Sequence, residues 1–108
     1  MILFYLLFFS YTGSIGFGNK SVTDLIGRVG ELEVDDTHSA AIWASQQPGI
    51  SADNCFLYGG SHGGFISAHL LTRESSFYRG GVVRNPVINI GSMPYNSDIP
   101  DWYIILFN

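Results

Sequence analysis

The distribution of apolar residues divides the chain into short stretches that alternate between strand-like and helix-like patterns. Apolar runs within residues 2–10, 55–58 and 81–83 are typical of buried parallel strands. Between them, residues 29–46 and 62–72 carry apolar side chains at helical spacing. We therefore predict the order β–α–β–α–β, which indicates an α/β fold built on a mostly parallel sheet.

Two segments rich in turn-forming residues interrupt this pattern. Residues 11–18 are rich in glycine and follow the first predicted strand, so they are expected to form a loop. Residues 85–102 are rich in Pro, Asn, Gly and Ser and are expected to form a second loop beyond the third strand. Ligands bind beyond the carboxyl ends of parallel strands. Residues at this point are therefore candidates for lining a substrate pocket: Arg84, Asn85, Pro86 and Val87.

A Gly-x-Ser-x-Gly sequence lies between the second strand and the second helix, which is the context that a nucleophile elbow requires. We predict that Ser61 is the nucleophile and that the backbone N–H of His62 is one oxyanion donor. Gly59 and Gly63, with Gly64 beside them, would remove side chains that collide with the tight turn. The alternative is a glycine-rich turn that happens to contain a serine.

Several longer segments extend the elbow into a family resemblance. Residues 59–65 (Gly-Gly-Ser-His-Gly-Gly-Phe) and the Tyr-Thr-Gly-Ser-Ile-Gly-Phe-Gly of residues 11–18 resemble the prolyl-oligopeptidase family of serine peptidases. Residues 84–90 and 97–102, with the histidine after the serine, resemble its acylaminoacyl-peptidase branch. The chain departs from the family pattern at Thr12, where arginine is usual, so the ion pair that an arginine would make is lost.

The resemblance implies a partial α/β-hydrolase fold and a peptidase activity. Such an enzyme releases an N-acylated (N-acetyl) amino acid from a blocked peptide through an acyl-enzyme, which here would form on Ser61. Its partners would be N-acylated peptides, no cofactor is implied, and the resemblance is compatible with a homo-oligomer.

The triad partners of Ser61 are not recognisable in the sequence. In this fold the order is Ser, then Asp, then His. His62 is on the elbow itself, and His69 lies roughly 12 Å along the helix from the serine. His38 precedes the serine and is expected to be a polar residue on a helix face. Asp98 and Asp101 come earlier than the aspartate of the family, so we assign neither of them.

The length of the chain also indicates that only part of a catalytic domain is present. An α/β-hydrolase domain has roughly 200–250 residues, and this chain has 108. We expect residues 1–108 to be one partial catalytic domain, an interior slice of a longer enzyme, with no β-propeller domain. A 46% hydrophobic and 13% charged composition suits a slice of a buried sheet. The alternative is an inactive fragment or a module that works by association.

Charge and cysteine content exclude other classes of function. The net charge is −4 and the five basic residues are scattered, so we expect no nucleic-acid partner. The acidic residues Glu31, Glu33, Asp35 and Asp36 are expected to form a solvated first helical turn rather than a metal site. Cys55 is the single cysteine and is expected to be a small buried apolar residue.

Residues 1–9, most of which belong to the first predicted strand, also resemble the core of a signal peptide. However, they lack a preceding basic region and an Ala-x-Ala-like cleavage site, and they are too few to span a bilayer. We therefore predict a strand, a cytoplasmic location and no membrane partner. The alternative is secretion, with residues 1–16 as the signal peptide.

Overall fold

The computed structural model describes residues 3–107. The chain forms helices and two strands in this order: α1 (Asn19–Asp24), α2 (Leu32–Ser45), β1 (Cys55–Gly60), α3 (His62–Arg73), β2 (Tyr78–Arg84), α4 (Met93–Asn96) and α5 (Pro100–Phe107). Single turns of 3₁₀ helix at Ala52–Asn54 and Ile90–Ser92 precede β1 and α4.

The centre of the fold is a β–α–β unit. β1 and β2 pair in parallel, with Leu57 opposite Gly81 and Gly60 opposite Arg84. The helix α3 connects the two strands and contacts both of them. This arrangement places the end of β1, the start of α3 and the end of β2 at one edge of the sheet, which is the edge where parallel sheets bind ligands.

The core lies where α3 meets the sheet, α2 and α5. α3 buries Phe65, Ile66 and Leu70, and α2 contributes Val34 to the same cluster. The other buried members come from β2 and the segment after it: Tyr78, Val87 and Tyr103. The apolar spacing along α3 therefore predicts the buried face of this helix correctly.

The prediction of a strand at residues 2–10 is wrong for the described part of that segment. Residues 3–10 adopt no strand and are all exposed, and Ile2 lies outside the described residues. A strand is stabilised by hydrogen bonds to a neighbouring strand, and the sheet within residues 3–107 consists of β1 and β2 alone. The α/β class is confirmed, but with two strands where three were predicted.

Other boundaries also differ from the prediction. The first predicted helix begins at Leu32 rather than at residue 29, and β2 begins at Tyr78 rather than at residue 81. The predicted loop at residues 85–102 contains a 3₁₀ turn, α4 and the start of α5. α5 is held in place by burial of Tyr103 and by the N–H of Gly27, which donates to the carbonyl of Leu106 at 3.0 Å. Among the described residues, no helix has the length and apolar content needed to cross a bilayer.

Candidate active site

Ser61 lies at the sharp turn between β1 and α3. Its backbone has φ 53° and ψ −118°, which non-glycine residues rarely adopt, and the residue is exposed. A conformation of this kind costs on the order of 1–3 kcal/mol and is maintained only where the surroundings enforce it. The Ser61 carbonyl accepts the N–H of Phe65 at 3.1 Å, which begins α3 directly after the serine. The turn thus presents the serine side chain at the tip of a strand–helix junction.

The glycines around Ser61 permit this turn, though not all for the expected reason. A Cβ on Gly59 would lie 2.1 Å from the carbonyl oxygen of Gly63 and 2.6 Å from Ser67 Oγ. A Cβ on Gly64 would lie 2.9 Å from Pro86 Cβ. At Gly63, by contrast, a Cβ would meet no atom within 4 Å, so the collision expected at that residue is not found. Gly59 and Gly64 are the two positions where close packing excludes a side chain.

The end of β2 and the residues after it hold the elbow from the other side. The Ser61 N–H donates to the carbonyl of Arg84 at 3.0 Å, and the Val87 N–H donates to the carbonyl of Ser61 at 3.4 Å. Asn85 has φ 38°, which turns the chain towards Gly64, where Pro86 packs. The structure therefore brings the segment of the four pocket candidates beside the elbow, where the backbones of Arg84 and Val87 support the turn. Whether they line a substrate pocket stays a prediction.

His62 is the first residue of α3, so its backbone N–H has no acceptor within the helix. Its imidazole is packed among three aromatic rings. It stacks on Phe65 with centroids 5.3 Å apart and lies 6.2 Å from Tyr11 and 6.3 Å from Trp102. The side chain is 20% exposed. Within residues 3–107, residue 62 therefore has a backbone N–H without an acceptor and a side chain that is fixed by packing.

Glu33 is a functional candidate that sequence reasoning missed. It was expected to belong to a solvated helical turn, yet its side chain is fully buried. Its Oε1 accepts the N–H of Gly30 at 2.7 Å and lies 3.2 Å from His62 Nε2. The imidazole nitrogen does not have hydrogen-bond geometry to this oxygen, and Glu33 Oε2 has no partner within residues 3–107. The nearest sequence signal is a carboxylate that reaches back three residues at a helix start, as in a capping box.

The pKa of the Glu33 carboxyl reflects two opposing effects. Burial raises it, whereas the contact with His62 and the N–H of Gly30 lower it by more, so the pKa lies below its ordinary value. Tyr11 responds to the same surroundings. Burial, together with the negative charge of Glu33, raises the pKa of its hydroxyl. Glu33 is therefore an ionised carboxylate in the interior, beside the elbow.

The other members of the acidic cluster behave in different ways. Glu31 and Asp35 are exposed as predicted, and each forms an ion pair, with Arg28 and Arg73 respectively, at 2.8 Å. Asp36 is half-buried, and its Oδ2 accepts the backbone N–H and the hydroxyl of Thr12 at 2.8 and 2.7 Å. Thr12 therefore hydrogen bonds to Asp36, although the family resemblance predicts an arginine at position 12. Within residues 3–107, no three His, Cys, Asp or Glu side chains converge as a metal site would require.

The remaining histidines have partners of their own. His38 lies on α2, where its Nδ1 is 3.1 Å from the Tyr78 hydroxyl and its Nε2 is 3.6 Å from Glu74 Oε2, so the residue is half-buried against the start of β2 and the turn before it. The ring of His69 packs edge-on against Phe65, with centroids 4.4 Å apart. Neither residue hydrogen bonds to Ser61 in the described part of the chain.

Cys55 and Tyr78 are opposite one another at the start of the sheet. Cys55 is half-buried, and burial raises the pKa of its thiol. Burial, followed by the nearby charges of Cys55 and Glu74, raises the pKa of the Tyr78 hydroxyl strongly. Both groups are therefore neutral near pH 7, and Cys55, which was predicted to be buried, packs against the core while only half-buried.

Comparison with known proteins connects this geometry to a family. The model of the prolyl oligopeptidase family matches residues 4–105. The chain is 46% identical over 102 residues to the acylamino-acid-releasing enzyme of Homo sapiens, and 36% identical over 96 residues to that of Arabidopsis thaliana. These matches cover 94% and 89% of this chain. The chain spans 14% and 13% of the length of these two relatives.

Solved structures give the same result for the fold. The chain superposes on the crystal structure of a puromycin hydrolase with a TM-score of 0.79 and 26% identity, over 90% of this chain and 15% of that one. It also superposes on the acylaminoacyl peptidase of Pyrococcus horikoshii with a TM-score of 0.82 and 19% identity, over 90% of this chain and 16% of that one. The fold is therefore part of an α/β-hydrolase fold. The family match over nearly the whole chain and the elbow at Ser61 lead to one conclusion: the chain belongs to the prolyl oligopeptidase family.

Proposed function

We propose that this chain carries the nucleophile of a serine peptidase that releases an N-acylated amino acid from a blocked peptide. The observation that carries the proposal is the backbone of Ser61, which has a positive φ and is exposed between β1 and α3. Strain of this kind is typical of functional sites. The 46% identity to the human acylamino-acid-releasing enzyme favours the same class of substrate.

In this proposal, Ser61 Oγ attacks the carbonyl carbon of the N-acylated residue. The Oγ proton passes to a base, the carbonyl oxygen gains negative charge, and the backbone N–H of His62 donates to it. The base then gives this proton to the leaving amine, whose departure leaves the acyl-enzyme, and water hydrolyses the ester to release the acylated amino acid and restore the Ser61 hydroxyl. His38 and His69 have partners elsewhere, so neither is assigned as the base.

Covalent labelling tests the role of Ser61. The protein as it is expressed from its own gene, called the full natural chain below, is treated with a fluorophosphonate reagent. The modified peptide is then mapped by mass spectrometry. We expect the adduct on Ser61 and its loss in Ser61→Ala, because only an activated serine reacts at an appreciable rate. Ser75→Ala, at an exposed serine in the turn before β2, is the matched control and should label like the unaltered chain. An adduct on another serine would overturn the assignment.

Release of product tests the substrate class. We expect the full natural chain to liberate an acetylated amino acid from a chromogenic acetyl-amino-acid amide, and to act far more slowly on the same amide with a free amino group. Equal rates on both amides would contradict the preference for acylated substrates. The cytoplasmic location stays a prediction, and the family resemblance is compatible with a homo-oligomer.

A further inference from the structure

The burial of Glu33 calls for a physical explanation. A carboxylate without solvent is costly unless charges and hydrogen bonds compensate it. Glu33 has one backbone donor, Gly30, and one imidazole, His62, on the same oxygen, and its second oxygen has no partner among residues 3–107. An apolar residue of similar size would fill the same volume at lower cost. The retained charge therefore points to a task at the imidazole of His62, which lies 3.2 Å from the carboxylate.

His62 is the residue directly after the proposed nucleophile. The imidazole of His62 is confined on its faces and edges by Phe65, Tyr11 and Trp102, and Glu33 meets it at Nε2. Packing on several sides restricts the imidazole to one rotamer and, through χ1, limits the movement of the residue 62 backbone. The peptide unit between Ser61 and His62 carries the N–H to which the proposed function assigns the oxyanion.

We propose that Glu33 is a positioning residue that, through the imidazole of His62, sets the direction of the residue 62 N–H towards the developing oxyanion. The inference rests on the proposed function and concerns the same site. α2 begins at Leu32, so the helix start delivers the carboxylate to the elbow, and Gly30 fixes the near oxygen. The length of the side chain decides the effect, since the carboxylate acts by contact with Nε2.

The test is a set of substitutions in the full natural chain, assayed on a chromogenic acetyl-amino-acid amide. Glu33→Asp keeps the charge but withdraws the carboxylate by one methylene. We expect kcat to fall about tenfold, less than the 10²–10³ that follows removal of an oxyanion donor, with KM changed by no more than about twofold. Glu33→Gln keeps the length and an acceptor oxygen, and we expect it to retain more of kcat than Glu33→Asp.

Glu31→Asp is the matched control, because Glu31 precedes the same helix, is exposed and undergoes the same chemical change. It should leave kcat and KM unaltered. An unaltered kcat in Glu33→Asp would overturn the inference. So would a loss in Glu33→Gln but not in Glu33→Asp, since charge alone would then be responsible. A fall in kcat that only follows the fraction of unfolded chain would also overturn it.

A second route does not depend on the folding of Glu33→Asp. His62→Gln keeps the backbone N–H but removes the imidazole, and we expect a similar loss of kcat. In the double variant with Glu33→Gln, any loss that Glu33→Gln causes alone should not add to that of His62→Gln, because Glu33 acts only through the imidazole that is already absent. Additive losses would contradict the inference.

One readout separates this inference from the proposed function. The ¹³C carboxyl resonance of Glu33 reports its pKa directly, and His62→Gln should raise that pKa because the imidazole helps to lower it. No change would overturn the Glu33–His62 contact, whatever Ser61 does. Full turnover in Ser61→Ala would instead overturn the proposed function, while the titration would still decide the contact.

Discussion

At the residue scale, the elbow excludes a side chain at Gly59 much more strictly than at Gly63. Gly59→Ala would place a Cβ 2.4 Å from the carbonyl carbon of Gly63, and backbone atoms cannot yield as a flexible side chain can. We expect a loss of several kcal/mol in the free energy of unfolding, or no soluble protein. Urea denaturation of the full natural chain measures this loss.

Gly63→Ala is the control for that prediction, because it lies in the first turn of α3 with open space around its Cβ. Alanine is favoured over glycine within helices by roughly 0.5–1 kcal/mol, so we expect stability to be unchanged or slightly increased. Although the sequence predicted a collision at residue 63, Gly63→Val should accordingly be tolerated far better than Gly59→Ala. Equal damage at both glycines would contradict the packing described here.

The buried carboxylate of Glu33 predicts a pH dependence of stability. Its pKa in the folded chain is below the ordinary value of 4.5, so it adds stability above pH 4.5 that is lost as the pH falls through the lower folded value. Tyr11 and His62 are the titratable groups that face it. The difference in unfolding free energy between the unaltered chain and Glu33→Gln should therefore shrink on acidification. Urea denaturation at pH 7, 5, 4 and 3 measures it, and parallel curves would contradict the assignment.

At the element scale, the loop at residues 11–18 is tied to α2 through Thr12 and Asp36. Hydrogen bonds to a charged acceptor contribute roughly 1.5–3 kcal/mol, and Thr12→Val removes one of the two while keeping the shape of the side chain. We expect a loss in that range, and little loss in Thr12→Ser, which retains the hydroxyl. Thr72→Val, at an exposed helical threonine bonded only within α3, is the control and should change stability by less than about 0.5 kcal/mol. Equal effects at Thr12 and Thr72 would contradict this link.

The elements that could be predicted from the sequence are those specified by local signals. β1, the elbow and α3 follow from an apolar run, a glycine pattern around Ser61 and helical spacing, all within residues 55–73. A strand at residues 3–10 could not be decided locally, since strand formation depends on a partner. The burial of Glu33 could not be predicted from local sequence either. It depends on packing against His62, which is 29 positions away in the sequence. The helix pattern identifies a polar position but does not show which neighbour will cover it.

At the scale of the whole molecule, the described chain has one well-packed unit and a large exposed apolar surface. β1, α3, β2, α2 and α5 enclose the core, whereas Leu3–Phe9 is apolar and exposed along its whole length. Phe56 and Tyr58 of β1 are also 63% and 78% exposed. Exposed apolar patches and strand edges of this kind promote association. The exposed apolar surface and the candidate site therefore lead to two separate predictions for a polypeptide of residues 1–108, one for its solubility and one for its activity.

The first of these concerns solubility. We expect purified residues 1–108 to aggregate, because Leu6 and Phe8 are 80% and 86% exposed in a segment without charge or proline. The double variant Leu6→Glu/Phe8→Glu adds charge where no core contact is lost and should increase the monodisperse fraction in size-exclusion chromatography. Ser75→Glu/Ser76→Glu adds the same charge at exposed serines and should help less. Equal improvement would show that net charge, rather than this segment, limits solubility.

The second concerns activity, and it separates a nucleophile from a complete catalytic site. Ser61 without a base remains a weakly nucleophilic alcohol, and loss of triad members costs several powers of ten in rate. None of His38, His62 and His69 hydrogen bonds to Ser61 among the described residues, so we expect no turnover of a chromogenic acetyl-amino-acid amide by monodisperse residues 1–108 above that of Ser61→Ala. The assay is run on the Leu6→Glu/Phe8→Glu background so that aggregation does not mask a result. Turnover well above the Ser61→Ala control would show that a base acts on Ser61 within these 108 residues, and the search for it would begin at His62 and His69.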